Sequence, residues 1–236
     1  MIQLSQIKKQ YGKRKILQDI SFQAGPGEAI AIVGRNGCGK STLLQIMAGV
    51  LKADSGSICY FEQPAHQDRR IFQRFCGYVP QENPLMEELS VNDNLKLWGG
   101  GKGSHTQEVI ARFELQQMLK TPVKKLSGGM KRRLSIACAL LQSPPVLLLD
   151  EPTAALDIYY QDRIRQWMEE FRNEGGIIVM STHDEQEIRW ADRCLFMQEG
   201  KLEELSGEGK RMEKIKASIW MKEGWPVWPK DKEDKR

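Results

Sequence analysis

The stretch VGRNGCGKST, residues 33–42, constrains this chain more than any other. It satisfies the pattern G-x-x-x-x-G-K-[ST] with Gly34, Gly39, Lys40 and Ser41. The apolar run EAIAIVG leads into it and reads as a strand. KSTLLQIMAG follows and reads as a helix, with Gly49 as its C′ stop. That strand–loop–helix frame is what gives the pattern meaning. Glycines let consecutive N–H groups curl inward around a phosphate, and the helix N-terminus adds its dipole. Lys40 can reach the β- and γ-phosphates of a nucleotide, and the Ser41 hydroxyl can ligate Mg2+. Cys38 fills a free position of the loop, where a small side chain is tolerated.

Other apolar runs extend the frame. ILQDISFQA reads as a strand, and VLLLD and GIIVMSTH are continuous runs of strand length, as expected for parallel strands buried on both faces. RCLFMQEGKLEEL reads as a hairpin turning at Glu199-Gly200. Residues 83–126 differ. SVNDNLKLW and TQEVIARFELQQML are polar helical patterns separated by GGGKG at 99–103, and Ser90 with Asp93 resembles a capping box. From residue 130 a helix carries Leu134, Ala137, Cys138 and Leu141 on one stripe. Strand–helix alternation around a helical insertion gives an α/β fold.

Composition sets bounds. A chain of 236 residues can bury one sizeable core or two small ones. A net charge of +4 is only mildly basic and does not imply nucleic acid. No apolar run approaches the roughly 18 residues of a membrane span. The N-terminus lacks the apolar segment of a signal peptide. The five cysteines form no CxxC pair, so neither a zinc site nor a disulfide framework is expected. The charged end PKDKEDKR is expected to fray.

Two further stretches carry chemistry. In VLLLDE, Asp150 ends a buried strand, where it can hold an Mg2+ shell. Glu151 follows and can orient or deprotonate an attacking water. In KKLSGGMKRRLS, residues 124–135, a Ser-Gly-Gly turn opens a helix whose first turn holds Lys131, Arg132 and Arg133. Cations there are unfavourable by a few tenths to about 1 kcal/mol each, and an anion brought from elsewhere would account for them. On a helix, though, some of the three must point away from any one site.

With LSGGM lying between the phosphate loop and VLLLDE, residues 2–205 resemble the nucleotide-binding subunit of ATP-binding cassette (ABC) transporters. The resemblance implies a P-loop NTPase fold with a mainly parallel core sheet, an N-terminal antiparallel β subdomain and an inserted α-helical subdomain. The implied division is a core plus β subdomain at about 1–81 and 142–206, a helical subdomain at about 82–141, and a C-terminal extension at about 207–236. Tyr11 corresponds to the aromatic residue that stacks on adenine. Gly34, Arg35, Asn36, Gly37, Cys38, Gly39, Lys40, Ser41 and Thr42 correspond to the Walker A loop that binds ATP. Gln81, in VPQEN, corresponds to the glutamine that senses Mg2+ and water and touches the membrane partner. Ser127, Gly128 and Gly129 match the signature, and Asp150 and Glu151 the Walker B pair. Asp157 ends AALD, similar to the loop crossing the dimer interface. His183 corresponds to the switch histidine at the γ-phosphate.

The resemblance implies ATP and Mg2+ as ligands, with Ser41, Gln81 and Asp150 around the metal. It implies ATP hydrolysis by Glu151, His183, Gln81 and Lys40. It also implies a head-to-tail homodimer or heterodimer, with each signature facing the partner's nucleotide, and integral membrane permease subunits docking near Gln81 and residues 83–126. Location is then cytoplasmic, peripheral on the cytoplasmic membrane face, with no nucleic acid partner. A soluble ATPase of the same family acting on nucleic acid or ribosomes, or as a regulator, is the alternative. A small-molecule kinase conflicts with the signature and His183 together.

The family usually carries Gln where this chain has Met130, which cannot return the capping-box bond. The expected cost is about 0.5–1 kcal/mol. LSGGMKRR is similar to the branch exporting drugs, polysaccharides or peptides, and the chain lacks the length for the long C-terminal regulatory domain of some importers. Both lean towards export. In KRMEKIKASIWMKEGWPVW, Met212, Ile215 and Ile219 share one side and are expected to pack on the chain's own domain, with a membrane surface or a partner as the alternative.

Overall fold

A computed structural model describes residues 1–99, 101, 103–154, 156–205 and 215. The chain opens with β1 (Ile2–Tyr11) and β2 (Arg14–Ala24), paired antiparallel with Ile2, Leu4, Leu17 and Ile20 turned inward. β3 (Ala29–Val33) is buried at every position and runs into the glycine loop. α1 (Lys40–Met47) follows and stops at Gly49, whose φ is 71°. β4 (Ser55–Tyr60) and β5 (Gln63–Pro64) complete a four-stranded antiparallel sheet in the order β2-β1-β4-β5.

α2 (Arg70–Phe75) leads into β6 (Cys76–Val79), and a helical segment comes next. α3 (Val91–Leu97) is capped by Ser90, whose hydroxyl accepts the Asp93 amide at 3.1 Å. α4 (Ser104–Arg112) is shorter than the pattern over residues 106–119 predicts. Glu114 takes a left-handed φ of 54° and ends it, so that Phe113 and Leu115 both turn into the core. α5 (Gly128–Leu140) buries the whole stripe of Leu134, Ala137, Cys138 and, just past its end, Leu141.

β7 (Val146–Asp150), α6 (Ile158–Asn173), β8 (Ile177–Ser181), α7 (Glu185–Trp190), β9 (Arg193–Gln198) and β10 (Lys201–Leu205) close the fold. The main sheet runs β10-β9-β3-β8-β7-β6 and is parallel except for β10. β9 and β10 join through Glu199 and Gly200, with φ of 50° and 74°. Two consecutive left-handed residues make the tight turn that suits a twisted hairpin.

β3, β7 and β8 are covered on both faces, which explains their unbroken apolar sequences. Ile30, Ile32, Leu148 and Val179 face α1 and the antiparallel sheet. Ala31, Leu147, Leu149 and Met180 face α5, α6 and the helical segment. Val91, Leu95 and Val123 belong to this second cluster, so the helical insertion shares its core with the main sheet. Ile215 is buried in the same cluster, in keeping with the expected packing of the C-terminal stretch on its own chain. Met212, Ile219 and the nearby tryptophans lie outside the described residues.

Candidate active site

β3, β6, β7 and β8 are parallel, so their carboxyl ends lie along one edge of the sheet, where open α/β folds bind ligands. The loop after β3 can only be built with glycine at its start. Gly34 has φ 152°, and a Cβ there would come within 2.3 Å of the Met197 carbonyl oxygen. Gly39, with φ 116°, caps α1. The side chain of Lys40 folds back over the loop: Nζ donates to the carbonyls of Gly34 at 2.7 Å and Arg35 at 3.2 Å. The amine is thus held beside the α1 N-terminus with capacity for an oxyanion.

A cleft of about 640 Å³ opens here. Asn36, Gly37, Gly39, Lys40, Ser41 and Thr42 form one wall, and Gln81, Asp150, Glu151 and His183 the opposite one, with Tyr11 at the rim. Gly34, Arg35 and Cys38 shape the loop from behind. Arg14, Ile16 and Ala154 also line the cleft and were not anticipated from sequence. Arg14 Nη2 donates to the Gly37 carbonyl at 3.3 Å, bracing the loop across 23 residues. Only the turn of the first hairpin, which brings Arg14 opposite Tyr11, could have pointed to it.

The carboxylates differ in environment. Asp150 is 2% exposed and accepts a short hydrogen bond from the Ser181 hydroxyl. Glu151 sits one residue on with a left-handed φ of 52°, a conformation costing about 1–3 kcal/mol. Its amide donates to the Ser181 carbonyl at 3.1 Å, and its Oε1 lies 3.4 Å from His183 Nε2. Burial and the charge of Asp150 hold the Glu151 carboxyl above the usual glutamate range, against the opposing pull of Lys40. His183 is held below the usual imidazole range by burial and by Lys40. Its Nε2 can accept from Lys40 Nζ at 3.1 Å, or donate to Asn36 Oδ1 at 3.1 Å or to Glu151. The tautomer selects between these partners.

The cations after the signature do not await an anion, which corrects the expectation drawn from charge alone. Lys131 pairs with Glu87 at 2.6 Å. Arg133 lies 4.4 Å over the Tyr160 ring and donates to the Phe113 carbonyl and Glu114. Arg132, 4% exposed, donates to four backbone carbonyls: Pro80, Asp150, Glu151 and Pro152. Burial lowers its pKa to about 10. Ser127 caps α5, its hydroxyl accepting the Met130 amide at 3.3 Å. Ser127, Gly128 and Gly129 do not line the cleft.

Sequence reasoning also missed Glu187. It is fully buried and accepts hydrogen bonds from the hydroxyls of Thr153 and Thr182, which flank the loops carrying Glu151 and His183. Its place three residues after the N-cap Asp184 of α7 gave no signal of that bridge.

A profile of the family described as "ABC transporter" matches residues 17–154, more than half of the chain. The chain belongs to the ABC transporter family. It is an ATPase, the ATP-binding and ATP-hydrolysing subunit of a transporter. The lantibiotic transport ATP-binding protein SrtF of Streptococcus pyogenes is 37% identical over 86% of this chain and 89% of its own length. The Nod factor export ATP-binding protein I of Sinorhizobium fredii is 33% identical over 85% of this chain and 61% of its own length. The sulfate/thiosulfate import ATP-binding protein CysA of Xanthomonas campestris is 33% identical over 86% of this chain and 63% of its own length. A solved dimer of the ATP-binding cassette MJ0796, in a post-hydrolysis state bound to ADP and Pi, is 26% identical. It superposes with a TM-score of 0.79 over 88% of this chain and all of that one.

Proposed function

We propose that this subunit hydrolyses ATP with Glu151 as the group that polarises water, His183 and Gln81 as the groups that position it, and Lys40 as the stabiliser of developing phosphate charge. The observation that carries the reading is the convergence of Lys40 and Glu151 on His183, whose Nε2 lies 3.1 Å from Lys40 Nζ and 3.4 Å from Glu151 Oε1, on the same cleft as the glycine loop. The donor set fits Mg2+ with nucleotide. The Ser41 hydroxyl and the side-chain oxygens of Gln81 and Asp150 are hard oxygen ligands, and the loop glycines leave the backbone room to approach phosphate. Mg2+ would neutralise charge on the β- and γ-phosphate oxygens.

Tyr11 stacks on adenine at the rim, and residues 34–42 hold the phosphates. Ser127, Gly128 and Gly129 complete the site of a second subunit in a head-to-tail dimer. Their position outside the cleft supports this, because they have no ligand to serve within their own chain. Among the described residues no helix is long and apolar enough to cross a membrane. Transport passes through separate membrane subunits, a reading supported by relatives named as the ATP-binding proteins of transporters. These dock near Gln81 and residues 83–126, from the cytoplasmic face. The core with its β subdomain spans about 1–81 and 142–206, and the helical subdomain about 82–141. The residues at about 207–236 form a C-terminal extension. Export is the favoured direction, on the Met130 form of the signature and on the relatives named for lantibiotic transport and Nod factor export.

The test is Glu151→Gln. ATP binding stays intact, turnover falls by about 10²–10⁴-fold, and a stable dimer accumulates with ATP in size-exclusion chromatography. Steady-state turnover at the wild-type rate would remove Glu151 from the role.

A further inference from the structure

We infer that Arg132 is a positioning residue for hydrolysis, tying the signature helix to the turn that aims Glu151 and to the residue before Gln81. The inference rests on the role proposed for Glu151.

Four donors of one guanidinium are spent on backbone oxygens. Nε donates to Pro152 at 3.1 Å, Nη1 to Pro80, and Nη2 to Asp150 at 2.6 Å and Glu151 at 2.9 Å. Three of these acceptors are consecutive residues. The left-handed backbone of Glu151 breaks the extended run of β7 just where the three carbonyls meet the guanidinium. The clamp therefore fixes the backbone from which the Glu151 side chain departs, and its fourth bond fixes the backbone one residue before Gln81. Two groups proposed to act on the same water are held by one side chain of a third element.

That side chain is carried by the fifth residue of α5, in the turn that follows Ser127, Gly128 and Gly129. Any shift of this helix end, when the signature meets a partner's phosphate, is passed by a planar, buried group to Glu151 and Gln81. Among the described residues Arg132 forms no ion pair within 4 Å; its charge is balanced more distantly by Asp150, Glu187 and Glu151. It is therefore matched to carbonyl geometry rather than to a carboxylate. A lysine keeps the charge but has a point-like ammonium with three donors, which cannot span four acceptors in the guanidinium plane.

The experiment compares Arg132→Lys, Arg132→Gln, Glu151→Gln and the Arg132→Lys/Glu151→Gln double variant in the full chain. It reads steady-state turnover against ATP concentration, binding of a fluorescent ATP analogue, and the thermal midpoint. A misplaced catalytic group costs about 10²-fold, so Arg132→Lys is expected to lower kcat by that order while KM for ATP and analogue affinity move less than about 3-fold. Glu151→Gln should mask the defect, the double variant turning over no more slowly than Glu151→Gln alone.

Wild-type kcat in folded Arg132→Lys overturns the inference alone. So does a defect fully additive with Glu151→Gln, or a loss of ATP affinity equal to the loss of kcat. If Arg132→Gln does not fold, the Lys variant and the double variant still decide. Turnover retained by Glu151→Gln overturns the base and this inference with it, and the two failures are thereby distinguished.

Discussion

Glu187 has no exposed surface, and burial raises its carboxyl above the usual glutamate value of 4.5, against the hydroxyls of Thr153 and Thr182 that favour the charged form. A group whose folded pKa is raised contributes stability below its unfolded pKa and loses it as pH rises through the folded value. The protein should therefore lose stability, from this residue, between pH 4.5 and that raised value. Glu187→Gln keeps an acceptor for one hydroxyl and offers the other an N–H donor, without the charge. Denaturant melts at several pH values should show it matching or exceeding the wild type above this window and falling below it at lower pH. Glu187→Ala leaves two buried hydroxyl protons without an acceptor and should cost about 2–4 kcal/mol below pH 4.5, and less as pH rises through the window. A pH-independent gap between wild type and Glu187→Gln would refute the assignment. Residue identity made Lys40, Asp150 and His183 legible beforehand, because each sits in a motif. Glu187, Arg132 and Arg14 were not, because their partners lie on loops that only folding brings near.

At the level of elements, α5 shows how packing revises a local argument. Ser127 caps it as its sequence predicts. Met130, which cannot return the capping-box bond, is packed instead against the core cluster of the helical segment. Met130→Gln should gain about 0.5–1 kcal/mol at the cap and lose a similar amount of apolar burial. The thermal midpoint should stay within about 4 °C of the wild type. A rise well beyond that would mean the methionine contributes nothing to packing. α4 makes the same point, since its pattern runs to residue 119 but a left-handed Glu114 stops it at Arg112. That break delivers the Glu114 carboxylate to Arg133 and Arg163. β6 is too short to show a pattern, and the stripe of Ile164, Trp167, Met168 and Phe171 in α6 went unread from the sequence. β6 has four residues, and α6 begins with the exposed Ile158 and Tyr159.

For the whole molecule, the separation of the signature from the cleft carries the prediction. Ser127→Ala should retain ATP binding by single subunits and lose most hydrolysis. Lys40→Ala should lose both hydrolysis and tight binding. Mixed together, the two inactive proteins should regain turnover, because one composite site in the mixed dimer has an intact glycine loop from one subunit and an intact signature from the other. Loss of single-subunit ATP binding in Ser127→Ala would rule out the composite arrangement, as would a mixture that stays inactive while forming dimers.

The sequence by itself determined the α/β frame, the family and the identity of the cleft residues that occur in motifs. Those features are local: a glycine loop, a buried strand ending in Asp-Glu, and a capped helix all declare themselves within ten residues. What the tertiary structure alone decided is where the charges go. Lys131, Arg132 and Arg133 look alike in sequence, yet one meets a surface glutamate, one a ring of backbone carbonyls and one an aromatic face. The helical rotation between neighbours and the long-range packing of β7, α6 and residues 80–87 around α5 assign those partners. No pattern of spacing along the chain encodes a contact made across it.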